Sequence, residues 1–313
     1  MAAAALAGCA GPTLLEEQWP AATPPRIELT ATPFYPQTDY QCGPAALATL
    51  LGAAGQPVTP ETLVGEVYVP ARKGSLQPEM IAAARQRGVV VYPLRPELAD
   101  LLAQLAAGHP VLVLQNLGLN RLPVWHYAVV IGADEDTETI LLRSGTERRR
   151  MEASDDFLRR WSLAGHWGIV ALVPGELPAN PHWPTYLSAV ADLEAAGALE
   201  AAGRAYAASL ARDPRLGAAQ LGLANVRYAS GRLDEAAGLY ESVAMDSGYA
   251  TPALNNLANL RADQGCLRQA RAALDRAQAT AGPGSVFTAA LASTGARLVE
   301  AGEEDLRCAD TDP

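Results

Sequence analysis

What the chain has little of already excludes several functions. Its 313 residues include three Phe, and aromatics make up only 6%. With so few rings and so much alanine, close-packed helices are favoured in at least one part. Cations are the minority: 24 Lys and Arg against 34 Asp and Glu leave a net charge of -10. A surface of that sign repels phosphate backbones and argues against nucleic acid as a partner. No apolar run reaches the ~18 residues of a membrane-spanning helix, so the chain reads as neither transporter nor channel. Cysteine is as rare as histidine, at four each. Cys9, Cys42, Cys266 and Cys308 match neither a zinc site nor a dense disulfide framework. His109, His126, His166 and His182 are scattered, which argues against a metal centre. Neither a metal nor an organic cofactor is expected.

Apolar residues make up 49% of the chain, enough for a packed core, and the length suits two domains. Residues 27–175 mix helix and strand signals. Pro44–Ala54 is an Ala/Leu helix stopped by Gly55. Pro60–Val67, Gln77–Arg87 and Pro96–Ala107 also read as helices. Val89–Tyr92, Val111–Gln115, Tyr127–Ile131, Thr139–Leu142 and Ile169–Val173 read as strands. Proline then crowds the segment from Pro174 to Pro184, which marks 176–185 as a linker.

Beyond the linker the sequence repeats. Gly197, Gly231 and Gly265 recur every 34 residues, as do Leu199, Leu233 and Leu267. Ala202, Ala236 and Ala270 follow in step, and then Tyr206, Tyr240 and Leu274. Small residues let paired helices approach, and Gly supplies a left-handed turn. This 34-residue period resembles tetratricopeptide repeats. About three helix pairs fit in residues 186–300, and the acidic residues 301–313 form a tail. An alanine-rich bundle without repeats is the other reading.

Only one arrangement could carry covalent chemistry. Cys42 stands in Gln37-Thr38-Asp39-Tyr40-Gln41-Cys42-Gly43-Pro44-Ala45-Ala46-Leu47. A second segment, Trp125-His126-Tyr127-Ala128-Val129-Val130-Ile131-Gly132, lies far downstream. Gly43 leaves room for a substrate backbone, and the helix that opens at Cys42 can lower its thiol pKa. The alternatives are a buried structural cysteine and a satisfied core histidine.

Gln-x-x-x-x-Cys-Gly-Pro-Ala-Ala-Leu followed by His-Tyr-x-Val-Val-x-Gly resembles the bacteriocin-processing (double-glycine leader) type of papain-like cysteine peptidase. The likeness covers about residues 30–173 and extends to the branch of envelope lipoproteins that carry tetratricopeptide repeats. It implies an α+β papain-like cysteine peptidase domain over 27–175, followed by an all-α tetratricopeptide solenoid over 186–300. It implies Cys42 as nucleophile, His126 as general base and Gln37 as oxyanion donor; a plain loop glutamine is the other reading of Gln37. Peptides or proteins would be the substrate, and the repeats would dock a protein partner. Without a transporter segment, the leader peptides of exported bacteriocins are not implied.

The chain departs from the family at the third member, where an Asp is expected after the His strand. A turn centred on Glu135-Asp136 places His126 opposite about position 145, and a turn one residue later places it opposite 147. Ser144 occupies the expected place of the Asp, and Glu147 is the carboxylate within register error. That departure keeps open a non-catalytic binding module, or a scaffold whose repeats do the work. Arg143, Arg148, Arg149 and Arg150 cluster nearby, as a solvated loop or as a clamp for an anionic group.

At the start, Leu6-Ala7-Gly8-Cys9 resembles a bacterial lipobox. The apolar stretch before it is short and carries no Lys or Arg. The expectation is a lipoprotein whose true start lies upstream of Met1; a chance Ala/Gly-rich start is the other reading. Ala10 would imply outer-membrane sorting, with the protein on its periplasmic face. Membrane contact would be made only through a lipid at Cys9. Residues 1–26 thus read as a truncated signal and a Pro/Ala/Thr tether.

Overall fold

The computed structural model describes residues 19–21, 23–37, 41–245, 248–302 and 308. Cys9, the lipobox, most of the tether and most of the acidic tail lie outside the described residues. The chain divides into two units. One comprises residues up to Val173 with Pro178–Tyr186, the other Pro174–Leu177 with Leu187 onward.

The first unit begins with β1 (Arg26–Glu28) and then turns helical. α1 (Cys42–Ala53) is buried from Gly43 through Leu51, as expected of an Ala/Leu helix with no polar face, and Gly55 follows at φ 71°. α2 (Pro60–Val67) starts with Pro at its first turn, and Thr59 accepts a capping bond from the Thr62 N–H at 3.5 Å. β2 (Tyr68–Val69) and β3 (Gly74–Ser75) form a small hairpin. α3 (Gln77–Arg85), β4 (Val90–Pro93) and α4 (Leu98–Ala106) lead into the main sheet.

That sheet holds β5 (Val111–Asn116), β6 (Trp125–Asp134), β7 (Thr139–Ser144), β8 (Glu147–Ala153) and β9 (Gly168–Leu172), with α5 (Ser154–Ser162) before β9. The strand order is β4-β9-β5-β6-β7-β8, with β1 on the far end of β6, and every pairing is antiparallel. One face packs on α1: Leu47, Leu50 and Leu51 join Leu112, Tyr127, Val129 and Ile131 in one core. The β6–β7 register shifts between Val130 and Gly132, where β1 arrives. A Cβ on Gly132 would lie 2.2 Å from the Ile27 carbonyl, so only glycine admits that strand.

β1, β2, β3, β8 and α5 carried no clear sequence signal. β8 is the instructive case. Glu147-Arg148-Arg149-Arg150 lacks apolar alternation because it is a charged edge strand. The arginine cluster is engaged within the unit. Arg143 is buried and donates to the carbonyls of Thr30, Thr32 and Arg148. Arg149 pairs with Glu28 at 2.7 Å and Arg150 with Glu147 at 3.2 Å.

Within 176–185, the Gln104 side chain bonds the Ala179 backbone twice, at 3.1 and 3.0 Å. The His182 N–H donates to the Tyr92 hydroxyl at 3.3 Å.

Among the described residues the rest of the chain is helical: α6 (Trp183–Ala195), α7 (Leu199–Arg212), α8 (Gly217–Ala229), α9 (Leu233–Ala244), α10 (Ala250–Asp263), α11 (Leu267–Thr280) and α12 (Thr288–Glu300). Gly197, Gly231 and Gly265 have φ of 83°, 74° and 78°. Each precedes a helix opening at Leu199, Leu233 or Leu267. Tyr206 lies over Gly222, whose added Cβ would meet its ring at 2.2 Å. One link had no sequence signal: Cys266, just before α11, is disulfide-bonded to Cys308, with Cα atoms 5.5 Å apart.

Candidate active site

Cys42 is the first residue of α1, so its thiol sits where helix N–H groups have no partner within the helix. Gly43 is required next to it. A Cβ there would lie 2.2 Å from Ser75 Oγ, so glycine lets β3 close against the start of α1. The Ser75 carbonyl in turn accepts from the Tyr127 hydroxyl at 3.3 Å. That bond ties β3 to β6 one residue from His126. Burial pushes the Cys42 thiol pKa up, while the backbone N–H groups of Tyr127, Gly43 and Cys42 itself hold it down in part.

His126 pairs with Gln115 across β5 and β6. Its Nε2 lies 2.8 Å from Ser144 Oγ. Val129 pairs with Arg143, so Ser144 stands diagonally from His126, within reach of an imidazole. Ser144 is buried and Glu147 is exposed. The carboxylate of Glu147 faces Arg150 rather than the imidazole. Of the two candidates for orienting His126, Ser144 is the one the fold brings to the ring.

Gln37 is the fourth candidate. Its N–H donates to the Gly145 carbonyl at 3.1 Å. Gly145, at φ 63°, is the turn that follows Ser144, so one turn positions both residues. Gln37, Cys42 and His126 line a single cleft of about 770 Å³. The segment between Gln37 and Gln41 lies outside the described residues.

In the tautomer whose Nε2–H donates to the Ser144 hydroxyl, Nδ1 is the ring nitrogen left to receive a proton. The electrostatics favour a neutral ring. Burial first, and the nearby Arg150 second, lower the His126 pKa from 6.5 to about 4. A raised thiol pKa beside a lowered imidazole pKa describes a neutral pair at rest, not a preformed thiolate–imidazolium pair. Such a pair still works if the thiol proton passes to the imidazole as the nucleophile attacks.

The sequence assigned no site role to Ser75 or Tyr127, and Arg150 stood out only as one of a cluster of arginines. Ser75 and Tyr127 hold the surroundings of Cys42, and Arg150 adds to the burial that lowers the His126 pKa. Tyr127 was visible as a neighbour of His126. Ser75 and Arg150 come from a two-residue strand and a charged edge strand, and neither has a local signature.

Residues 29–168 match the model of the Peptidase C39 like family. That match supports a papain-like cysteine peptidase domain over the first unit. No curated protein matches the chain. Among solved structures, a chain described as a C39-like peptidase from Bacillus anthracis is similar at 17% identity. The match covers 47% of this chain and 97% of that one, with a TM-score of 0.41. The Yersinia enterocolitica type III secretion translocator chaperone SycD is similar at 22% identity, covering 37% of this chain and 79% of that one, with a TM-score of 0.35.

Proposed function

We propose that this protein is a cysteine peptidase of the bacterial cell envelope, acting on a peptide or protein substrate. The observation that carries the reading is the meeting, in one cleft, of a helix-opening Cys42 with His126, whose Nε2 is held by Ser144. The thiol proton passes to His126 Nδ1 as sulfur attacks the peptide carbonyl. The C–S bond forms, and the carbonyl π electrons move to oxygen. Gln37 and the Cys42 N–H hold that oxyanion. On collapse the C–N bond breaks, and the amine leaves with the imidazole proton. Water then cleaves the thioester with His126 again as base, which restores the thiol.

The second unit is read as a tetratricopeptide solenoid that docks a protein partner. The 34-residue recurrence of left-handed glycines and helix starts supports this. An envelope location, with a lipid at Cys9, is supported by the lipobox-like start and by the Cys266–Cys308 disulfide, since such bonds persist in oxidising compartments. A second reading, a peptide-binding module with impaired catalysis, is favoured by one observation: His126 has a neutral orienter and a nearby cation, both of which oppose imidazolium. The test is cleavage of a complex peptide mixture by the full chain, followed by mass spectrometry. Products that vanish in Cys42→Ala support the peptidase. An identical product set from Cys42→Ala sinks it.

A further inference from the structure

The cleft holding Cys42 and His126 has two walls of opposite chemistry. One comes from the connection between β2 and β3. Pro70–Arg72 make a single 3-10 turn, and Lys73 closes it in the left-handed region at φ 48°. That conformation is uncommon for a residue with a side chain. It sets Arg72 and Lys73, both exposed, on the cleft wall. Among the described residues no carboxylate lines the cleft, in a chain where 34 acidic residues outnumber 24 basic ones. The described lining is therefore opposite in sign to the net charge of the chain.

The other wall comes from the loop between β5 and β6, through Pro123, Val124 and Trp125. The loop presents apolar side chains outward, with Leu119, Leu122, Val124 and Trp125 70, 74, 57 and 53% exposed, beside exposed Asn120 and Arg121. It is also held in place. Asn116 Oδ1 accepts from the N–H groups of Gly118 at 2.9 Å and Val124 at 3.0 Å. Leu119 and Leu122 exchange backbone bonds at 3.2 and 3.1 Å. Apolar surface kept exposed on an ordered loop at the mouth of a cleft is a contact surface. An extended peptide points successive side chains to opposite sides, so neighbouring residues of one segment can meet both walls at once.

Building on the peptidase reading, we infer that the substrate is an extended segment carrying an apolar side chain for the Val124–Trp125 wall and an Asp or Glu for the Arg72 wall, beside the bond presented to Cys42. Charge complementarity selects the acidic residue, and the exposed loop selects its apolar neighbour.

The test uses fluorescence anisotropy with the full-length Cys42→Ala variant, which binds without turnover. Three labelled peptides are compared: apolar–acidic, apolar–basic, and one with Ser in place of the apolar residue. The apolar–acidic peptide should bind at least tenfold tighter than the apolar–basic one at low salt, and the gap should narrow at high salt. Arg72→Glu should erase or reverse that gap. Val124→Ser should weaken both apolar peptides and leave the charge preference intact. Equal binding of the charged peptides, a preference that survives Arg72→Glu, or no binding at all would overturn the inference. Cleavage by the wild-type chain separates the two claims. Selective binding without cleavage keeps the inference and removes the peptidase. Cleavage indifferent to both residues removes the inference and keeps the peptidase.

Discussion

The two units solve the problem of burying a chain in opposite ways. In the second, one solution is repeated: Tyr206 and Tyr240 lie 34 residues apart, both buried, and the helix starts beside them keep step. The first unit shows no such spacing around its site. Gly43, Ser75, Tyr127 and Ser144 each make a different contact, and together they surround one thiol and one imidazole. Repetition spreads stability over equivalent positions, whereas a site concentrates function in a few irreplaceable ones. Substitutions should therefore have all-or-none effects on function in the first unit and graded, matching effects on stability in the second.

The largest expected effect is Cys42→Ala. Loss of a nucleophile costs on the order of 10⁶ in turnover where one is used. Cleavage of any peptide identified as a substrate should fall to background, with circular dichroism unchanged. Surviving turnover would mean that the thiol is not the nucleophile.

Next in size is reduction of Cys266–Cys308, which lie 42 residues apart. By loop entropy such a crosslink stabilises by roughly 4 kcal/mol. The double change Cys266→Ser with Cys308→Ser should lower the urea midpoint of the helical signal. Cleavage rates under native conditions should stay the same. A fall in turnover would show that the units are not separable in function.

How much of this could be read from sequence follows the same division. The 34-residue period is local and redundant, so glycine positions alone announced the helix pairs. Cys42, Gln37 and His126 stood out because each sits in a distinctive short segment, and the fold brings the three to one cleft. Ser144 was reachable from the place where the family carries an Asp and by counting along a hairpin; the count depended on where the turn is centred, and the register shift at Val130/Gly132 displaces it further. Ser75 and Arg150 were not legible, since their roles depend on which distant elements the sheet brings together.

Ser144→Asp sharpens the contrast within the site. A carboxylate in place of the hydroxyl would stabilise imidazolium by charge. The His126 pKa should rise from about 4, and turnover near neutral pH should increase about tenfold. Parent activity should fall only as pH drops toward about 4, because the imidazole stays neutral above that value. Glu147→Gln should change the rate less than threefold, as its carboxylate faces Arg150. NMR titration of His126 alongside pH–rate curves checks all three. A parent titration near 6.5 would remove the account of the neutral pair.

The smallest effect bears hardest on the repeat. At Gly197, Gly231 and Gly265 the backbone is left-handed, and an added Cβ would have no neighbour within 4 Å. Alanine at each should therefore clash with nothing and pay only for the conformation, about 1 kcal/mol. Because packing does not enter, the three costs should agree within about 0.5 kcal/mol when measured by urea unfolding of the helical signal. Position along the chain should not matter if the three turns are equivalent. Were Gly231→Ala to cost several times more than the other two, the turns would differ in kind, and the 34-residue spacing would be a pattern of sequence without a matching pattern of energy.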